Sequence, residues 1–127
     1  MVRARGIDVD AEEVITEVMD EWKAGIGAHD PGRVAAAFAE DAVFQGLKPY
    51  GVGRQAVFDY YDSQPRGMTV DYQIRESRSP TAGVVIGYLA AAFAFPDRPT
   101  VELAVGVALT RFDSGWRIAQ YQASQIQ

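Results

Sequence analysis

Few residues in this chain could do chemistry. There is no cysteine and a single histidine, His29. Disulfides, thiolate metal sites, cysteine nucleophiles and two-histidine metal motifs are therefore excluded. His29 is poised for proton transfer near neutral pH, but it falls at the end of a predicted helix, where histidine serves free carbonyls. Ser63, Ser77, Ser79, Ser114 and Ser124 lie in no nucleophile-elbow pattern. Only one histidine is available to act as their base. Glu40 and Asp41 are adjacent, and consecutive residues do not converge on one site. Asp41 reads first as a turn acceptor for backbone N–H groups. Glu102 and Asp41 are left as catalytic candidates, with Glu102 ahead because its strand face reads as the inner one.

Gly51-Val-Gly53-Arg-Gln-Ala56, with Asp71 further on, fits the dinucleotide-binding pattern. That mechanism needs a strand before the glycines and a parallel strand after the helix. Lys48-Pro49-Tyr50 interrupts the first, and only one helix follows. The segment reads as a loop and a helix start, and no cofactor is expected.

The remaining signal is aromatic: six Phe, six Tyr and two Trp. Most must serve as core. Buried Tyr and Trp also need polar partners. Small residues at Ala104, Gly106 and Ala108, read as an inner sheet face, would leave a cavity for such rings to line. The last strand offers two registers. In one, Trp116, Ile118, Gln120, Gln122 and Ser124 face inward, and the glutamines need partners or a ligand. In the other, the glutamines meet solvent and Tyr121 points in. The shared face of Trp116 and Ile118 favours the first.

The elements that must position these residues follow from periodicity. A first helix starts near Asp10, an N-cap with Glu13 three residues on. Val14, Ile15, Val18, Met19, Trp22 and Ile26 then recur at helical spacing. Asp30-Pro31 starts a second helix running to about Ala39, followed by a short strand over 42–45. A loop over 48–53 precedes a third helix over 54–63, whose stripe is Val57, Phe58 and Tyr61. The period then changes to two. Strands are expected over 68–78, 84–95, 100–112 and 116–126, joined as a meander. Helices followed by strands argue α+β, with the helices on one face of an antiparallel sheet. In the strand over 100–112, Val101, Leu103, Val105, Val107 and Leu109 are all aliphatic, and the alternate face is mostly small. Both faces call for cover. A second subunit is the simple answer for one of them; sheet curvature or a long loop is the alternative.

With 127 residues, one domain over 1–127 is the expectation, residues 1–9 reading as a flexible segment. Apolar residues make up 48% and charged residues 23%, an ordinary globular balance. The formal charge is −5. Residues 1–21 hold two arginines and seven acids, and the remaining 106 residues carry ten of each sign. Without a basic cluster the chain is a poor candidate for nucleic acid or anionic membranes. Arg3 and Arg5 are followed by acids rather than an apolar run, so no signal peptide is read. A cytoplasmic location is the default expectation.

Trp22-Lys-Ala, Ala28-His-Asp-Pro, Val34 to Phe38, Ala39-Glu-Asp-Ala-Val-Phe44 and Gly53-Arg-Gln-Ala-Val57 together resemble the nuclear transport factor 2-like superfamily. Within it the chain is similar to the SnoaL-like group. Phe44-Gln-Gly-Leu-Lys-Pro-Tyr50, Tyr60-Tyr-Asp-Ser-Gln-Pro65 and Trp116-Arg-Ile-Ala-Gln-Tyr-Gln-Ala-Ser124 make it most similar to the SgcJ/EcaC type. The resemblance implies a cone-shaped fold: three N-terminal helices packed on a curved antiparallel sheet, enclosing a pocket, often dimeric through the sheet. The superfamily hosts isomerases, cyclases, dehydratases and non-catalytic binders. The ketosteroid isomerase pattern places its tyrosine and two aspartates at Trp22, Gly46 and Ala108 here. All three are lost, and that activity is rejected. Gln122 stands where related domains often carry a histidine.

These readings lead to a pocket protein of specialised metabolism, of the polyketide or enediyne kind that the resemblance implies. It would be a cofactor-independent cyclase or isomerase working by shape and hydrogen bonding. Trp22, Phe44 and Tyr61 would line the pocket, and Gln120 and Gln122 would orient a small hydrophobic molecule. A homodimer through the sheet is expected. The second reading is a non-catalytic binding or accessory subunit, holding a hydrophobic intermediate or docking on a polyketide synthase.

Overall fold

The structure is a computed structural model that describes residues 10–126; the segment expected to be flexible, 1–9, lies outside the described residues. Helix α1 spans Ala11–Gly27. It begins where Asp10 Oδ1 accepts a hydrogen bond from the Glu13 N–H at 3.1 Å, satisfying one of the free donors of the first turn. Its stripe, Ile15, Val18, Met19, Trp22 and Ile26, is buried. His29 closes the helix through its backbone. Its φ is +50°, and its N–H donates to the Ile26 carbonyl at 3.0 Å. Asp30 then caps helix α2, Pro31–Ala36, accepting from the Arg33 N–H at 3.1 Å.

Helix α2 ends earlier than its sequence suggests. Strand β1 runs Phe38–Gln45, taking residues 38 and 39 that read as helical. A six-residue helix is marginal without tertiary support. Here the Ile118 N–H donates to the Ala37 carbonyl at 2.9 Å, and the wholly buried Phe38 pairs with Ile118. A short strand β2, Gly51–Val52, falls within the expected loop and pairs antiparallel with β1. Helix α3 is Arg54–Asp62. Four long strands follow: β3 Thr69–Thr81, β4 Val84–Ala94, β5 Val101–Phe112 and β6 Gly115–Gln125.

The strands form one six-stranded sheet in the order β2-β1-β6-β5-β4-β3. The expected meander is present and antiparallel throughout. The sheet as a whole is mixed, however, because β1 lies parallel to β6. That pairing joins the first and last strands of the chain, which local periodicity cannot specify. The architecture is therefore α+β, with helices packed on a curved, unclosed sheet.

The two faces of the sheet differ from the expected assignment. On β5 the aliphatic residues Leu103, Val105, Val107 and Leu109 are buried beneath the helices. Ala104, Gly106 and Ala108 face outward with Glu102. A bulge in β6 decides the rest. Leu109 pairs with Ile118, but Ala108 pairs with Gln120, so Ala119 is an extra residue. One inserted residue reverses the facing of everything beyond it. Ile118 points inward, and so do Tyr121 and Ala123, whereas Gln120 and Gln122 are exposed.

Candidate functional site

An aromatic cluster occupies the inner face where α1, α3, β1, β4 and β6 meet. Trp22 from α1 is wholly buried and packs edge-on against Phe93 at 5.9 Å between ring centroids. Its Nε1–H donates to Tyr61 Oη of α3 at 3.0 Å. Tyr121 stacks on Phe44 of β1, with centroids 5.0 Å apart and ring planes at 26°. Its hydroxyl neighbours the Tyr61 hydroxyl. Burial pushes the Tyr61 hydroxyl well above its ordinary range, and the Trp22 N–H and the nearby Tyr121 hydroxyl oppose that rise. Burial also raises Tyr121, and the neighbouring Tyr61 adds to the effect. Both phenols are thus protonated at neutral pH and act as hydrogen-bonding groups, not as bases.

Tyr61 and Tyr121 border a cleft of about 60 Å³. Tyr60 and Gln64 are its other polar residues. Met68, Phe93, Phe95, Val101, Leu103 and Ala123 supply its apolar lining. Gly46 and Leu47 line it as well. Tyr60 Oη accepts the Leu47 N–H at 3.2 Å. A Cβ at Gly46 would collide with the Tyr60 ring, so glycine lets the end of β1 approach α3 closely. The cleft is small beside the several hundred Å³ of ordinary ligand pockets. It can take a few waters or one end of a flat apolar molecule.

Among the residues singled out from sequence, Tyr61 borders this cleft. Trp22 and Phe44 lie in the layer behind it, Trp22 holding the Tyr61 hydroxyl and Phe44 packing on Tyr60, Tyr61 and Tyr121. The inward orientation expected for Gln120, Gln122 and Glu102 is corrected: all three are exposed on the outer face. The β6 bulge displaces the glutamines, and Glu102 shares the outward phase of Ala104. Asp41 is exposed in a separate open groove with Glu40, Arg54 and Arg117. The Gly51/Gly53 segment contributes β2 and the turn into α3, and β2 is antiparallel to its neighbour. It forms no parallel strand–helix–strand unit.

Sequence reasoning missed Tyr60, Gln64, Met68 and Phe93 as cleft residues. Tyr61 lies on the apolar stripe of α3, and Tyr60 reaches the cleft through its packing on Phe44 of β1, a contact that local spacing does not announce. Tyr121 was visible only in the register set aside.

The profile of SnoaL-like domains matches residues 15–127. The chain belongs to the SnoaL-like domain family. Solved structures agree on the fold. A ketosteroid isomerase-like protein from Erwinia carotovora atroseptica is 20% identical with a TM-score of 0.74, the match covering 94% of this chain and 99% of the other. A putative scytalone dehydratase from Novosphingobium aromaticivorans is 16% identical with a TM-score of 0.75, covering 91% and 84%. A nuclear transport factor 2-like protein of unknown function from Shewanella oneidensis is 11% identical with a TM-score of 0.78, covering 90% and 98%. No curated protein sequence matches the chain. Among the described residues no helix is long and apolar enough to cross a membrane.

Proposed function

We propose that this SnoaL-like domain binds one end of a small hydrophobic molecule in the cleft between α3 and the ends of β4, β5 and β6. Its activity would be that of a cofactor-independent cyclase or isomerase of specialised metabolism, of the polyketide or enediyne kind and the SgcJ/EcaC type. The observation that carries the reading is a cleft whose lining joins apolar side chains with three tyrosines. Such a surface can fix the conformation of a flexible polyene and orient one polar group, which lowers a barrier without a strong acid or base. The likeness to an isomerase-like and a dehydratase-like protein is compatible with this reading.

A second reading is favoured by one fact: no carboxylate or histidine is among the residues lining the cleft. On that reading the domain is an accessory subunit that holds a hydrophobic intermediate or docks on a synthase. The proposed second copy of the chain sits on the outer sheet face in both readings. Tyr88 there is half exposed and lies beside Gly106, where an added Cβ would meet nothing. A two-fold interface sets one patch against itself, so the Tyr88 ring of each copy would meet the open surface at Gly106 of the other.

Native mass spectrometry of freshly purified protein, followed by denaturing extraction, tests the reading. A dimer that releases a small apolar compound is the expected result. Turnover of that compound selects the enzyme, and its recovery unchanged selects the accessory subunit. Protein that takes up no apolar compound when offered a panel of them would overturn both.

A further inference from the structure

Proton counting at the buried end of the cleft says what kind of ligand atom it takes. The indole N–H of Trp22 can only donate, and it donates to Tyr61 Oη. Among the described residues no hydrogen bond runs from the Tyr61 or the Tyr121 hydroxyl to an acceptor, and the Tyr61 oxygen only accepts. Should the two neighbouring hydroxyls turn toward each other, one proton serves the other oxygen and the second is still left over. Tyr61 and Tyr121 are 4% and 2% exposed, so bulk water does not freely serve that proton. Both residues border the cleft, so an occupant of the cleft can receive it. An unmatched buried donor is costly, and a ligand acceptor placed there relieves that cost.

We infer that the Tyr61–Tyr121 pair presents one O–H donor to the cleft and selects ligands whose inserted end carries a neutral acceptor oxygen, a ketone or enone carbonyl, on a flat apolar body. The inference rests on the proposed binding role of the cleft and adds the atom that is recognised. The apolar wall of Met68, Phe93 and Leu103 fits the ring or chain beside that oxygen. The cleft lining offers no cation to balance a carboxylate, which disfavours acids.

Acetophenone and ethylbenzene, alike in shape and different in the oxygen, provide the test. Both are titrated into wild type, the Tyr121→Phe variant and the Tyr61→Phe/Tyr121→Phe double variant. Removing Tyr121 alone leaves the Tyr61 proton free, so the ratio of the two affinities is expected to stay within about twofold. Removing both hydroxyls is expected to lower the ratio about tenfold, the worth of one well-placed buried hydrogen bond. An unchanged ratio in the double variant would overturn the inference while leaving the cleft a binding site. Failure of both compounds to bind wild type would overturn the binding role itself. Should the double variant not fold, the infrared carbonyl stretch of acetophenone bound to wild type decides. A stretch lowered from its position in alkane is expected, and one at the alkane position contradicts the donor.

Discussion

The two faces of β4, β5 and β6 are built from the same alternating strands and have opposite characters. The inner face carries large residues, among them Leu89, Phe93, Leu103, Leu109 and Tyr121, all buried. The outer face carries Ala90, Ala92, Ala104, Gly106 and Ala108, with Ile86 and Tyr88 standing 47% and 50% exposed. The inner face holds two tyrosine hydroxyls at its cleft, and the outer face sets Gln120, Gln122 and Glu102 beside its small residues. The proposed ligand would take the first, and the proposed second copy of the chain would take the second. The small residues of β5 face away from the cleft, so small residues on a strand do not by themselves mark a cavity.

Substitutions on each face should separate these roles. The largest effect is expected at Trp22, which packs on Phe93 and Tyr121 and holds Tyr61. Trp22→Ala should cost about 3–5 kcal/mol in urea unfolding, as large-to-small changes in a packed core do. Tyr61→Phe should cost about 1–3 kcal/mol by the same measurement, because the buried indole N–H loses its acceptor. Gly106→Arg on the outer face should change folding stability by no more than about 0.5 kcal/mol, as a substitution into open space does. If the outer face is the proposed dimer interface, wild type should sediment as a dimer and this variant as a monomer. A stable dimer of that variant would leave the outer face without its assigned partner.

The buried phenols add a pH dependence with a definite sign. Tyr61 and Tyr121 hold their protons more tightly when folded than at the ordinary value of 10.0. Their contribution is fully present below that value and is lost as pH rises through it toward the folded range. Urea midpoints should therefore fall steeply above about pH 10, and Tyr61→Phe should soften that fall. The smallest effect is expected at the exposed pair of Arg33 and Glu21, 3.1 Å apart. Its hydrogen bond lowers the Glu21 carboxyl below its ordinary range. Surface pairs of this kind contribute little, so Glu21→Gln should leave the midpoint unchanged within error.

Local signals were legible where local chemistry decides. Asp10 and Asp30 marked two helix starts correctly because a capping side chain acts within three residues. The breaks expected between residues 95 and 100 and between 112 and 116 both fall between long strands. Two features were not legible, for one reason. The parallel pairing of β1 with β6 and the extra residue at Ala119 are set by contacts between distant parts of the chain. Trp116 and Ile118 gave a sound phase for the first half of β6, and the bulge cancelled it for Gln120 and Gln122. Tyr61 was reachable from its helical stripe. Tyr121 was hidden by that one-residue step.

Methyl resonances give the most direct test of where a ligand enters. Met68, Leu103 and Ala123 place methyl groups at the cleft, and Ala104 and Ala108 place theirs on the outer face. On titration with acetophenone, the Met68, Leu103 and Ala123 signals should move together while Ala104 and Ala108 stay still. Movement of the Ala104 and Ala108 signals with a silent cleft would contradict the assignment of the ligand to the inner face.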